Sequence, residues 1–497
     1  MSALFGIDVG TSGVKGLAID AEGTVLAAAD AGYPLSTPRV GWAEQNPEDW
    51  WQAAEAVLTH LQAAAGPPAG IGLSGQMHGL VTLDTHDRVL RPAILWNDQR
   101  TSAECKQIEE TVGPERLIEL TGNRALAGFT APKLLWLRRH EPDLYARIAR
   151  IALPKDYVRL RLCGEHATDV SDASGTLLLD VSGRRWSDEI LGALELEPAW
   201  LPRVLESPES CGCAPQGDPG AAGASVAAGV PGAAGTPVAA GAGDQAAGAL
   251  GVGVAGPGPA SVVLGTSGVV FTALERFAPD PQGRAHVFCH AVPEGWHAMG
   301  VMLSAAGSLR WLRDAIAPGA SYDELTAAAR AWPAGTEGLV FLPYLAGERT
   351  PHADPDARGA FVGLSVRHDR GALVRAVLEG VAYGLRDLLD LVSELGERPT
   401  FGRVSGGGAR SRLWLEIVAS VLELPLELVA VAAGAAFGAA ILGGVACGVW
   451  PDVRGGVAAT VKPRERIEPV AAWVEPYREQ RERFRALYPA LRGLPTT

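Results

Sequence analysis

Cysteine is scarce, with six in 497 residues at positions 105, 163, 211, 213, 289 and 447. That is far below the density of a disulfide scaffold, so cross-links are not expected to hold the chain together. Cys211-Gly212-Cys213 has no second pair at ligand spacing, which argues against a structural zinc site and for reduced thiols in a cytoplasmic protein. Basic charge is also short. Lys and Arg number 43 against 56 Asp and Glu, and the net charge of -13 argues against a nucleic acid as partner. A small anion held by local backbone donors stays open. No basic, apolar, small-residue leader opens the chain, which goes straight into Leu4-Phe5-Gly6-Ile7-Asp8. Long apolar runs are rare too. Leu428 to Trp450 lacks charge and is long enough to span a bilayer, but it is mostly Ala, Gly and Val without a flanking basic cluster. Close helix packing in a soluble core is the expectation, and no membrane.

Several catalytic signatures are missing as well. There is no GxxxxGK[ST] loop, no HExxH helix and no GxSxG elbow, so the commonest P-loop, zincin and hydrolase readings fall away. Gly251-x-Gly253-x-x-Gly256 matches the dinucleotide pattern, but Pro257 and Pro259 follow, so no helix opens where a pyrophosphate would need one. What abounds is glycine. The chain has 61 Gly and 35 Pro, and the glycines crowd between Gly212 and Gly268 in a stretch that looks like a linker.

The rest alternates strand and helix, hence α/β. Strand-length apolar runs are Leu4–Val9, Ile71–Leu73, Leu80–Leu83, Ser261–Leu264 and Val269–Leu274. Asn46-Pro47-Glu48-Asp49 signals a helix start, with a capping Asn, Pro at the first helical position and acids in the first turn. Ala372–Val392 and Leu413–Leu422 are further helices. An internal echo outweighs these elements. Ile7-Asp8-Val9-Gly10-Thr11-Ser12-Gly13-Val14 is matched by Val262-Val263-Leu264-Gly265-Thr266-Ser267-Gly268-Val269, and more weakly Leu73-Ser74-Gly75-Gln76 by Val404-Ser405-Gly406-Gly407. Two related α/β halves follow, the second starting inside the glycine-rich stretch.

Glycine lets a backbone approach a ligand closely, and successive N–H groups in such a turn form an anion nest. Gly10-Thr11-Ser12-Gly13 and Gly265-Thr266-Ser267-Gly268 could therefore clamp a polyphosphate between two strand–turn–strand tips. Only the first carries a carboxylate, Asp8, on an otherwise apolar strand where an unpaired acid is costly to bury. It is read as oriented toward a metal–phosphate; the competing reading is an acid satisfied by turn amides. Lys15 either contacts a phosphate or is solvated. Gly75-Gln76-Met77-His78-Gly79 sets an imidazole at a strand end, where it can meet a hydroxyl or serve the core. Trp96-Asn97-Asp98-Gln99-Arg100-Thr101 offers the hydrogen-bonding groups a polyol needs, or forms a polar turn before a helix near Arg100. Asp244, followed by Gln245, is the only acid between Asp218 and Glu275. Small neighbours leave room for a substrate and little water, which raises a carboxyl toward a useful base. Capping the following helix is the other reading and is compatible with catalysis.

The opening Asp-x-Gly-Thr, the Gly-Ala-Gly-Asp around Asp244, the second Gly-Thr-Ser and the Gly406–Ser411 run together resemble the FGGY carbohydrate kinases. Gly128–Leu137 looks like that family's first signature. Gly359–Leu364 with Ala376–Glu379 looks like its second, with Ala372 where a polar residue is usual. The resemblance spans Leu4 to about Gly448. It implies a two-domain actin-like, ribonuclease-H-like ATPase fold with a cleft between the halves, divided as 1–240 and 241–497. It implies ATP and magnesium as cofactors, Asp8 orienting metal and phosphates, and Asp244 as general base. Thr11, Ser12, Lys15, Gly265, Thr266 and Ser267 would hold phosphates, with Gly406, Gly407 and Gly408 against the nucleoside. Within the family, Gly75–Gly79, Trp96–Thr101 and Thr168-Asp169-Val170-Ser171-Asp172-Ala173-Ser174-Gly175-Thr176 resemble the branch that phosphorylates D-xylulose. Met77, His78, Trp96, Asn97, Asp98, Asp244 and Gln245 would then line the sugar. Family members are often homodimers. The Val431–Gly434 region lacks an acid often found there. Another ketose, a polyol or a sugar acid is the alternative substrate, and a non-catalytic actin-like ATPase switch the alternative class.

Overall fold

The computed structural model describes residues 3–214, 233–431 and 434–492. Residues 215–232 of the stretch expected as loop, and Ala432 and Ala433, lie outside the described residues.

Two seven-stranded mixed sheets organise these residues. The first contains β1 (Ala3–Val9), β2 (Gly13–Ile19), β3 (Val25–Gly32), β4 (Pro68–Gly75), β5 (Ser210–Cys213), β6 (Pro237–Ala239) and β7 (Ala242–Gly243). The second contains β8 (Pro259–Leu264), β9 (Gly268–Leu274), β10 (His286–Cys289), β11 (Trp296–Met302), β12 (Phe401–Ser405), β13 (Leu426–Val429) and β14 (Pro463–Ile467). The first runs β5-β6-β4-β1-β2-β3 with β7 beside β4; the second runs β14-β13-β12-β8-β9-β11-β10. The orders coincide, with parallel pairing on one side of β1 and β8 and antiparallel hairpins on the other. The weaker echo also has a physical basis: Asp8 stands opposite Ser74 in β1–β4, as Val263 stands opposite Ser405 in β8–β12.

Helices cover both sheets, which is why β1 is apolar on both faces, with Leu4, Phe5, Ile7 and Val9 all buried. α1 (Pro47–Ala65) starts where Asn46 accepts the Glu48 N–H, and packs Trp50, Val57 and Leu61 inward. α2 (Ser102–Val112), α3 (Thr130–His140) and α4 (Pro154–Cys163) complete the first half. α5 (Asp244–Gly251) follows β7 directly. The second half contributes α6 (Ala306–Ile316), α7 (Arg370–Leu395), α8 (Arg412–Leu422) and α9 (Gly434–Ala446). Among the described residues no helix is long and apolar enough to cross a membrane.

The uncharged run 428–450 becomes β13 and α9, and the reason for its small residues is geometric. α9 packs against α5, β4 and β1 of the first half. A Cβ on Gly72 would overlap the Ala439 carbonyl, and one on Gly438 would overlap the Ala247 carbonyl. The two halves therefore meet backbone to backbone, and larger side chains would wedge them apart.

The division between the halves was expected at residue 240. β7 lies beyond it yet pairs with β4, Ala242 opposite Ser74 and Gly243 opposite Gly75. Strand hydrogen bonding, not glycine content, assigns this segment to the first sheet.

Candidate active site

β1, β4 and β7 are parallel neighbours, so their carboxyl ends come out at one edge of the sheet. Register carries Asp8, Ser74 and Ala242 across in a row, and Asp244 follows one residue beyond β7. Crevices outside the carboxyl ends of such strands are where ligands bind in open α/β sheets. Ser74 Oγ donates to Asp8 Oδ1 at 2.9 Å, and Lys15 stands beside Asp8 on β2 with its side chain exposed. Burial holds the Asp8 carboxyl above the ordinary range, against that hydrogen bond and the Lys15 charge. Burial, then the charge of Asp8, pushes Asp244 up to about 7, although Gln245 hydrogen-bonds to it. A carboxylate poised near neutrality between small residues is equipped to take a hydroxyl proton.

His78 adjoins this edge in a left-handed backbone conformation, φ 70°. Its Nδ1 lies 2.6 Å from the Gly175 carbonyl oxygen, so that nitrogen carries the proton and Nε2 is the acceptor. A Cβ on Gly175 would run into the imidazole, so glycine is needed there. Burial pulls His78 down to about 3 and keeps the ring neutral, tilted at 41° against Phe129 with centroids 4.6 Å apart. Its own carbonyl accepts from Lys133 Nζ at 2.7 Å and Thr130 Oγ1 at 3.1 Å. The segment Gly128–Leu137 is thus the brace behind His78. Met77 is buried, its thioether packed where Cβ atoms on Gly243 and Gly175 would fall.

The other expected sugar residues divide. Asn97 points a buried Oδ1 that has no hydrogen-bond partner among the described residues. Trp96 donates its indole N–H to Thr11 Oγ1 at 2.9 Å and keeps its ring partly exposed. Asp98 is fully buried, its two oxygens bonded to Ala43 N at 2.7 Å, Arg100 N at 2.9 Å and the Arg100 guanidinium at 2.7 and 2.9 Å. An acid two residues before an arginine closes on it locally, so in this structure its hydrogen bonds go to the protein.

The two glycine turns differ in how they are held. Thr11 O accepts from Gln45, and Thr11 Oγ1 lies 3.3 Å from Gln76 Oε1. Tyr33 donates to the Gly10 carbonyl. The Gly10 N–H closes this tip on the Gly13 carbonyl at 3.1 Å, and among the described residues the N–H groups of Thr11 and the exposed Ser12 make no backbone hydrogen bond. In the second, Gly265 O and Thr266 O accept from Ala306 N and Ala305 N at 2.8 Å, tying the tip to the start of α6. Beside it lies a groove of about 520 Å³ lined by Gly265, Thr266, Gly307, Gly407, Gly408 and Trp414. Gly406, at φ 92°, brings that loop against Leu264 so closely that a Cβ would clash. The residues expected against a nucleoside and those expected on phosphates therefore share one wall.

Sequence reasoning missed Ser74, Tyr33, Gln45, Gly175 and Arg349. The charge of Arg349, from the second half, is felt at both His78 and His286. Its guanidinium makes no hydrogen bond or ion pair among the described residues, and burial lowers its pKa. Of these, the weak echo includes Ser74 and the Thr168–Thr176 run includes Gly175, but neither residue was given a role from the sequence. Among the described residues all six cysteines are free, and no cluster of three His, Cys, Asp or Glu side chains could hold a metal.

Duplicated α/β halves joined back to back, with paired carboxylates at a strand edge and a glycine-walled groove, define a two-domain carbohydrate kinase, a phosphotransferase acting on an alcohol group. The chain belongs to the FGGY family of carbohydrate kinases: the model of the N-terminal domain matches residues 3–251 and that of the C-terminal domain residues 260–447. It is 43% identical to a xylulose kinase of Escherichia coli K12, covering 98% of each chain. It is 36% identical to a xylulose kinase of Bacillus subtilis, covering 100% of this chain and 98% of that one. A crystal structure from Brucella ovis, described as a xyloylose kinase, superposes with TM-score 0.90 at 42% identity over 99% of this chain and all of that one.

Proposed function

We propose that the protein transfers the γ-phosphoryl group of ATP to the terminal hydroxyl of D-xylulose, giving D-xylulose 5-phosphate and ADP. The observation that carries this reading is the pair Asp8 and Asp244 at one sheet edge, Asp244 standing two positions beyond Ala242, which shares a row with Asp8, and held near neutrality. Asp244 accepts the hydroxyl proton as the oxygen–phosphorus bond forms and the bond from phosphorus to the bridging oxygen of ADP breaks. His78 Nε2 and Asn97 Oδ1 accept from other sugar hydroxyls, with Met77, Trp96 and Gln245 around them. The backbone donors at Thr11 and Ser12, Lys15, and the turn Gly265–Ser267 face the phosphates, while Gly406–Gly408 lie along the nucleoside. Phosphoryl transfer needs little beyond such positioning and charge neutralisation.

Magnesium fits the residues present. Asp8 has a carboxylate oxygen beyond the one bonded to Ser74, and a hard cation of this kind is held by one or two carboxylates plus phosphate oxygens and water. When bound it would neutralise charge on the transferring phosphoryl group. We place the boundary between the halves after residue 251, where the family's first domain ends.

An ADP-release assay over a panel of D-xylulose, D-ribulose, glycerol and gluconate tests the substrate. D-xylulose should give the highest kcat/KM, and a higher value for any other sugar overturns the reading. One observation favours a sugar acid as the second reading, namely the unpaired guanidinium of Arg349 on the His78 side.

A further inference from the structure

The segment Thr168–Thr176 contains no residue placed on the substrates, yet it touches both ends of the sugar site. Asp169 is fully buried, and its Oδ2 accepts from Ser171 N at 2.8 Å, Ser171 Oγ at 2.6 Å and Ser207 Oγ at 2.8 Å. Ser171 Oγ in turn accepts the Gly243 N–H at 3.1 Å, and the Ser207 carbonyl accepts the Gly241 N–H at 3.0 Å. Gly243 is the residue before Asp244 and the cap of α5. Four residues beyond Ser171, Gly175 takes the Nδ1 proton of His78.

Behind Asp169 stands a dry ionic cluster on α4. Lys155 Nζ lies 2.9 Å from Asp169 Oδ1, 2.5 Å from Asp156 and 3.3 Å from Asp172, and Arg159 pairs with Asp156 at 3.0 Å. Burial raises the Asp172 carboxyl well above its ordinary value. The Lys155 stem runs beneath the ends of β4 and β7, in contact distance of Cβ positions on Gly75 and Gly241. Buried ion pairs of this kind often contribute little net stability, and their best-attested use is to fix one geometry.

We infer that Ser171, anchored by Asp169, is a positioning residue that fixes the Gly243–Asp244 turn at the distance from His78 that phosphoryl transfer requires. This rests on the reading of Asp244 as the base. Breaking the ion pairs themselves would destabilise the core, whereas Ser171→Ala removes one hydroxyl link. A misplacement of the order of 1 Å at a reacting group can reduce rate about 10²-fold.

Ser171→Ala should lower kcat for sugar phosphorylation by about 10- to 100-fold. Its sugar KM and nucleotide affinity should stay within about threefold, because the groups that meet the ligands are untouched. Ser171→Thr should recover most of the turnover. Unchanged kcat in Ser171→Ala overturns the inference, as does a joint shift of kcat and KM with a lowered Tm. If Ser171→Ala does not fold, Ser207→Ala, which releases Asp169 from the other side, should lower kcat several-fold at constant sugar KM; unchanged kcat there overturns it equally. Asp244→Asn is assayed alongside. Wild-type turnover in that variant sinks the base assignment itself, while an inactive Asp244→Asn beside a fully active Ser171→Ala sinks only the positioning role.

Discussion

The two Gly-Thr-Ser-Gly hairpins share four residues, a strand order and a serine on the neighbouring parallel strand. They differ in what stands opposite that serine. In the first half it is Asp8, bonded to Ser74 and within electrostatic reach of Asp244. In the second it is Val263 opposite Ser405, and the tip is tied to α6 beside a groove of glycines. A duplicated scaffold thus became asymmetric by one carboxylate. On the proposed function, the first hairpin faces the reacting atoms, where charge must be placed, and the second faces the polyphosphate and nucleoside, where an added negative charge would only repel.

Removing the base breaks the asymmetry most completely. Asp244→Ala should reduce turnover by about 10²- to 10⁴-fold while a nucleotide analogue still binds, measured by coupled assay and calorimetry. Near-normal turnover would refute the assignment. Asp8→Val makes the first hairpin resemble the second. Turnover should fall about 10²- to 10³-fold, yet Tm should hold or rise because a buried acid has gone. A fall in Tm would mean that Asp8 is chiefly structural. Val263→Asp performs the reverse change, giving Ser405 an acid to meet. Nucleotide KM should rise about tenfold through repulsion of phosphate, with sugar KM unmoved; equal shifts in both would show that the hairpins are not divided as described.

Titration sharpens the comparison further. Asp244 must be ionised to accept a proton, so kcat/KM should fall as pH drops through about 7, and Asp244→Asn should flatten that limb. Stability carries two opposite signs. His78, held down to about 3, binds fewer protons folded than unfolded, so its contribution is lost as pH falls from the ordinary histidine range toward 3. Asp244 binds more protons folded than unfolded between its ordinary value and about 7, so it favours the fold at low pH and opposes it above. Asp244→Asn should therefore raise Tm slightly at pH 8 and leave it nearly unchanged at pH 4, by differential scanning fluorimetry.

Much of the fold was legible because periodicity and capping act locally. The α1 start at Asn46-Pro47, the helices α7 and α8, and both hairpins follow from short runs of residues. Asp8 and Asp244 stood out because acids are rare among apolar and small neighbours. That Asp98 closes on Arg100, two residues away, was not legible from the run of polar side chains around it. Which sheet the segment after residue 240 joins was hidden too, because glycine content says nothing about which strand a segment pairs with. The signature Gly128–Leu137 was visible, but that its Lys133 holds the His78 carbonyl depends on two elements meeting in space.

By itself the sequence determined an α/β chain built twice, two glycine-bounded turns, two isolated carboxylates and a histidine between glycines. These rest on local chemistry: glycine frees a turn, and an acid in an apolar strand demands a reason. Only the tertiary structure decided that β7 joins the first sheet beside β4, that register sets Asp8 and Asp244 at one edge, and that Asp169 bonds Ser171 and Ser171 meets Gly243, while Gly175 meets His78. It also turned the uncharged run near the C-terminus into the seam of the two halves. Hydrogen-bond register and backbone-to-backbone contact depend on residues hundreds of positions apart, and no local pattern encodes them.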